Sequence, residues 1–118
     1  MSKATIDDAL REFSGLYELL DDAYWEASTI ADKDLIYDII SIFIHELSEL
    51  NKLSIQDHHY PYEIITEGIR RVRPKLELLQ TKLDEVVIRT RTLMDIRELM
   101  DNTLIILEQQ DLGFGDFK

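Results

Sequence analysis

An apolar register running from Ile65 to Leu107 decides what this chain can fold into. Apolar residues fall at positions 65, 69, 72, 76, 79, 83 and 86, then at 93, 100, 104 and 107, with Thr90 and Arg97 as the two interruptions. Steps of three and four put side chains on one face of a helix, whereas a half-buried strand alternates with period two. The fold class is therefore all-α, and the expected architecture is an antiparallel four-helix bundle with up-down-up-down topology.

Helix 1 is expected over residues 6–30. Thr5 and Asp8 have the spacing of a capping box, in which Thr5 accepts from a free N–H and Asp8 is well placed for the helix dipole. Its apolar stripe is Ile6, Leu10, Phe13, Tyr17, Leu20, Tyr24, Ala27 and Ala31, flanked by Ala9, Leu16, Ala23 and Trp25. Gly15 costs such a helix about 1 kcal/mol relative to Ala, so close approach of a facing helix is expected there. Helix 2 is expected over 33–52 with Asp32 as its N-cap. Its apolar residues cover well over half the circumference and leave a strip of Asp38, Ser41, His45, Ser48, Glu49 and Lys52. A helix that apolar is either central to its own bundle or part of a subunit interface.

Residues 53–60 read as a loop, and Pro61 is expected to open helix 3, where its missing N–H costs nothing. Pro74 would stand inside helix 3 and kink it, since the register keeps its phase through Val72, Leu76 and Leu79. A turn is expected at 89–92, followed by helix 4 over 93–110, entered by the Thr92…Asp95 capping pattern. The rival is one continuous helix over 74–110. Gly113 is placed to cap the last helix, and residues 111–118 are expected to fray. The whole chain, 1–118, reads as one domain.

Composition narrows the function classes. The absence of Cys rules out disulfides, thiol nucleophiles and thiolate metal sites and suits a cytoplasmic protein. The first residues lack the apolar core of a signal peptide. The longest apolar stretch, 35–47, is too short to span a bilayer and carries Asp38, Ser41, His45 and Glu46. Net charge is −11, unevenly spread: residues 1–69 hold 15 acids and 4 bases, residues 70–97 hold 4 acids and 8 bases, and residues 98–118 hold 5 acids and 1 base. Such a field repels nucleic acid and anionic membrane, so neither is expected as a partner.

Each candidate for chemistry has a plainer reading. His45 and Glu49 stand four apart on helix 2, as a pair of metal ligands would, but no third ligand is evident, and Glu-x-x-His occurs nowhere in the chain. Histidine phosphotransfer domains carry Lys three and Gly four residues after the phosphorylated His. Here Ser48 and Glu49 stand at those places, and a carboxylate repels a phosphoryl group. The all-α nucleotide pyrophosphohydrolases bind Mg²⁺ through Glu-Glu-x-x-Glu and Glu-x-x-Asp helices. Glu46-Leu47-Ser48-Glu49 is only a fragment of that pattern. The pairs Asp7-Asp8, Asp21-Asp22 and Asp84-Glu85 lie in polar stretches and read as solvated faces, not as desolvated acid–base groups.

Three groups read as contact surface. His58-His59-Tyr60-Pro61-Tyr62 offers two imidazoles and two phenols on a Pro-anchored turn, or else packs over the end of the bundle. Arg70, Arg71 and Arg73, with Lys75, form a basic concentration that is expected to face the acidic helices 1 and 2 or a second subunit. Phe114 and Phe117 either fold back or serve as aromatic anchors. No catalytic, cofactor or metal residues are assigned. The expected function is a non-enzymatic protein–protein interaction module, an adaptor or regulator, self-associating as a homodimer through helix 2. The alternative is an acidic neutraliser of a basic partner (an immunity protein, antitoxin or DNA-mimic). The third is a metal- or phosphate-handling enzyme using His45, Glu49, His58 and His59.

Overall fold

The computed structural model describes residues 3–87 and 90–115, with the backbone alone for residues 90, 91 and 111–115. Five α-helices occur among the described residues, α1 Ile6–Glu26, α2 Ile30–Asn51, α3 Glu67–Arg70, α4 Arg73–Val86 and α5 Thr90–Gly115, with a single 3-10 turn at Ile55–Asp57. They pack together as an all-helical fold. α1 lies against α2 and α5, α4 lies against α5 and α2, and α3 sits on α2.

α1 begins as its sequence dictates. The Thr5 hydroxyl accepts from the Asp8 N–H at 3.1 Å and the Asp8 carboxylate accepts from the Thr5 N–H at 2.9 Å. It ends earlier than expected, with Ala27 already extended. The reason is a second Thr-x-x-Asp pattern: Thr29 caps α2, its hydroxyl accepting from the Asp32 N–H at 3.1 Å. Asp32 is therefore not the cap. It lies in the first turn, buried, and accepts from Lys82 Nζ of α4 at 2.8 Å. That hydrogen bond, followed by the one from Thr29, holds the Asp32 carboxyl below its ordinary range and raises Lys82.

Pro61 does not open a helix. Residues 60–62 pair with residues 4–6 through an isolated antiparallel bridge between Thr5 and Pro61. The Tyr62 N–H donates to Ala4 C=O at 2.8 Å, and the Ile6 N–H donates to Tyr60 C=O at 2.9 Å. A proline suits such an edge because its neighbours carry the hydrogen bonds. Helix resumes only at Glu67, capped by Thr66. Pro74 is not a mid-helix kink either: it stands in the first turn of α4, after a break at Arg71. The register keeps its phase there because the break is a tight turn of helical hand. Arg71 N–H donates to Gly68 C=O at 3.1 Å and Val72 N–H to Ile69 C=O at 3.3 Å.

The second ambiguity resolves as two helices, since α4 ends at Val86. α5 already starts at Thr90, however, so residues 90–92 are helical instead of forming the expected turn, and Thr92 does not open the helix. α5 runs through Gly113 to Gly115, and no described glycine has positive φ, so the expected left-handed cap at Gly113 is not formed. The core joins Phe13, Leu16 and Leu20 of α1 to Ile36, Ile39 and Phe43 of α2. Ile69, Val72, Leu76, Leu79 and Leu83 complete it with Ile96, Met100 and Leu107. In α5 the buried row passes through Ile96, Met100 and Thr103. Arg97 lies beside that row, outside the core, with its Nη2 2.6 Å from Asp84 Oδ1. Gly15 does meet a close neighbour: a Cβ there would lie 3.2 Å from Leu99 Cδ1 of α5.

Candidate interaction site

Glu46 builds one end of the molecule. On α2 it stands in the row Ile36, Ile39, Phe43 and Leu50, fully buried. A carboxylate there is costly unless donors surround it. Three do: its Oε2 accepts from the Tyr62 hydroxyl at 2.7 Å and the Ile65 N–H at 2.9 Å, and its Oε1 accepts from the Thr66 N–H at 2.8 Å. All three come from residues 62–66. Gln110 of α5 grips the same segment, donating to Tyr62 C=O at 2.7 Å and accepting from the Ile64 N–H at 3.2 Å.

Tyr62, read from sequence as contact surface, is 1% exposed. Its ring meets Phe13 edge-on at 5.4 Å. Burial pushes its phenol far above the ordinary value, reinforced by the Glu46 charge and hydrogen bond, while Arg70 acts the other way. Tyr60 is exposed, with the His59 ring tilted against it at 4.3 Å. His59 Nδ1 donates to Gln56 C=O at 2.7 Å. The His58 carbonyl accepts from the Asp7 N–H at 2.9 Å, satisfying one of the free donors that begin α1.

Beside this loop opens a cleft of about 440 Å³ lined by Ile6, Leu50, Leu53, Tyr60, Pro61, Glu63 and Ile65. Leu53, Tyr60 and Ile65 remain exposed on its rim. Ile65 both lines the cleft and donates to Glu46, so the buried carboxylate fixes the cleft wall. Sequence reading had placed Tyr60 here but missed Glu46, Leu53 and Ile65 as parts of one site. The legible signal was an acid in an otherwise apolar helix row.

The other candidates lie elsewhere. Arg70 and Arg71 pair with Glu67 at 3.9 and 3.3 Å. Arg73 pairs with Glu77 at 4.0 Å and Glu108 at 3.8 Å. The Arg70 and Arg71 pairs are local and the Arg73–Glu108 pair joins α4 to α5, while Lys75, 3.7 Å from Asp38, and Lys82 reach α2. Phe114 falls within the backbone of α5, its side chain outside the described residues, and Phe117 lies outside them altogether. His45 is exposed, and Glu49 pairs with Lys52 at 2.5 Å. Among the described residues no three His, Cys, Asp or Glu side chains group as metal ligands, and no helix is long and apolar enough to cross a membrane. No protein-family model, curated protein or solved structure matches the chain.

Proposed function

We propose that this chain is a non-enzymatic protein–protein interaction module of the cytoplasm, and that a partner seats an apolar side chain in the cleft beside residues 53–66. The observation that carries this is a cleft with six apolar or aromatic lining residues, its wall fixed from behind by the Glu46 carboxylate. A pre-formed pocket loses little freedom when filled. Glu46 itself is saturated by structural donors, which suits a buried strut better than an acid–base group. The scaffold in this reading is an up-down-up-down bundle of α1, α2, α4 and α5, with α3 as a short appendage. It is supported by pairs whose numbers run in opposite directions: Lys82 to Asp32 and Lys75 to Asp38, Gln80 to Asp101 and Asp84 to Arg97, Ala4 to Gln109 and Glu12 to Asn102.

Self-association through α2 keeps support from Ile30, Tyr37 and Ile44, which stay exposed, and loses it from Leu35 and Ile42, which pack against the core. The reading as an acidic neutraliser is favoured by an open groove of about 490 Å³ between α1 and α5, lined by Glu12, Glu18, Asp95 and Glu98 with Arg11 as its single base.

Capture of partners by the immobilised full chain, identified by mass spectrometry, tests the proposal. The expected result is a protein retained by the wild type and by Leu78→Ser, an exposed position on α4, and lost with Leu53→Asp/Ile65→Asp. Equal capture by both variants would remove the cleft from the account.

A further inference from the structure

α1 and α2 each present a seven-residue repeat to the solvent side of their shared seam. On α1 the half-buried Leu10, Tyr17 and Tyr24 recur every seventh residue, and on α2 the exposed Ile30, Tyr37 and Ile44 do the same. The α1 row borders α2. Lys33 of α2 donates from Nζ to Tyr24 C=O at 2.7 Å and stands 4.5 Å above the Tyr24 ring. At the other end, Leu10 and Ser14 of α1 share an open hollow of about 580 Å³ with Asn51 of α2.

Filling in the intermediate positions sharpens the pattern. Residues 10, 14, 17, 21 and 24 read Leu-Ser-Tyr-Asp-Tyr, and residues 30, 34, 37, 41 and 44 read Ile-Asp-Tyr-Ser-Ile. Both follow the 4-3-4-3 spacing by which a helix meets another helix. Each row spans 14 residues, about 21 Å at 1.5 Å per residue, which corresponds to four turns of a docked helix.

We infer that this seam is a docking track for one amphipathic helix of a partner protein, with an apolar stripe and Lys or Arg on its flanks. This rests on the reading of the chain as an interaction module but uses a different surface from the cleft. Charge decides the occupant. Asp21 and Asp34 sit within the two rows, and Glu18 is exposed beside them, while Asp38 on the far side of the α2 row is paired with Lys75 of α4. Of the described bases at the seam, Lys33 is already turned onto the Tyr24 carbonyl, and Arg11, in the hollow at the far end, is paired with Asp7 and Asp8. A second copy would bring carboxylates against carboxylates, whereas a basic helix meets each with an opposite charge.

Trp25 is the only tryptophan, is 75% exposed and stacks edge-on with Tyr24 at 5.3 Å, so its emission reports occupancy of the seam. The probe is a synthetic helix of three Leu/Lys heptads, titrated into the full chain, with a scrambled peptide of equal composition as control. The expected result is a blue shift of Trp25 emission and saturable binding. Affinity should fall about tenfold or more in Tyr37→Ser/Ile44→Ser, both exposed positions whose helix content circular dichroism checks, and stay unchanged in Leu53→Asp. Equal binding of the scrambled peptide would reduce the effect to net charge and overturn the inference, as would indifference to the Tyr37→Ser/Ile44→Ser change. Sedimentation showing a dimer that the same pair of substitutions dissolves would assign the seam to a second copy and overturn it too. If cleft substitutions abolish partner capture while seam substitutions do not, the inference fails and the interaction reading stands.

Discussion

Glu46 and Tyr62 place a charge and a phenol inside a helical core, where either alone would be destabilising. Together with the Ile65 and Thr66 N–H groups they satisfy one another. Replacing Tyr62 by Phe leaves a buried carboxylate oxygen short of a donor, so a loss of about 1–3 kcal/mol is expected in urea unfolding. Tyr60→Phe, whose ring is exposed, should stay within about 0.5 kcal/mol. Equal effects would mean that the Glu46 contact does not stabilise the fold. At this scale the sequence was only partly legible. Nothing in His58–Tyr62 separates the exposed tyrosine from the buried one, because the partner of Tyr62 lies 16 residues away on α2. Glu46 could be recognised as an acid in an apolar row, but its donors come from a segment whose extended backbone no local pattern announced.

The elements were legible wherever one periodicity acted alone. The row of α4 was legible because burial on one face sets it, and the Thr5 box fixed the start of α1. The buried row of α1 instead takes in Ala9, Leu16 and Ala23 and leaves Leu10, Tyr17 and Tyr24 half-buried, and that of α2 takes in Glu46. Boundaries failed where two rules competed. Thr29 and Asp32 are both good caps, and the hydroxyl three residues before Asp32 prevailed. Pro61 suits a helix start as well as an edge, and pairing with residues 4–6 selected the edge. Pro74 preserved the register because the break before it is a helical-handed turn. With its ring in the first turn of α4, Pro74→Ala should change stability by less than about 1 kcal/mol. A change of several kcal/mol would point to a structural demand absent from this geometry. The cap of α1 also gives a pH signature. Asp8 is held below its ordinary value of 3.8, chiefly by the Thr5 N–H and further by Arg11. A depressed carboxylate stabilises the fold above its unfolded value and loses that contribution as the pH falls through its folded one. Wild type should therefore exceed Asp8→Asn in thermal stability at pH 7, with the gap closing below about pH 4. A gap that does not change with pH would contradict the assignment.

For the whole molecule, a net charge of −11 lies over a fold whose exposed apolar residues concentrate in two places. One is the cleft beside residues 53–66 and the other is the seam of α1 and α2. Neither was visible as a surface in sequence, because each joins residues from separate segments: Ile6 with Leu53 and Ile65, and Leu10 with Asn51. The acid excess favours basic partners by steering encounter, which added salt weakens, while apolar contact in the cleft resists salt. The most direct measurement is amide hydrogen exchange over the full chain with and without a captured partner. The expected result is slowed exchange in residues 53–66, accompanied by residues of the α1–α2 seam if one partner uses both. Protection confined to the groove between α1 and α5, with residues 53–66 unchanged, would contradict the cleft as the binding site.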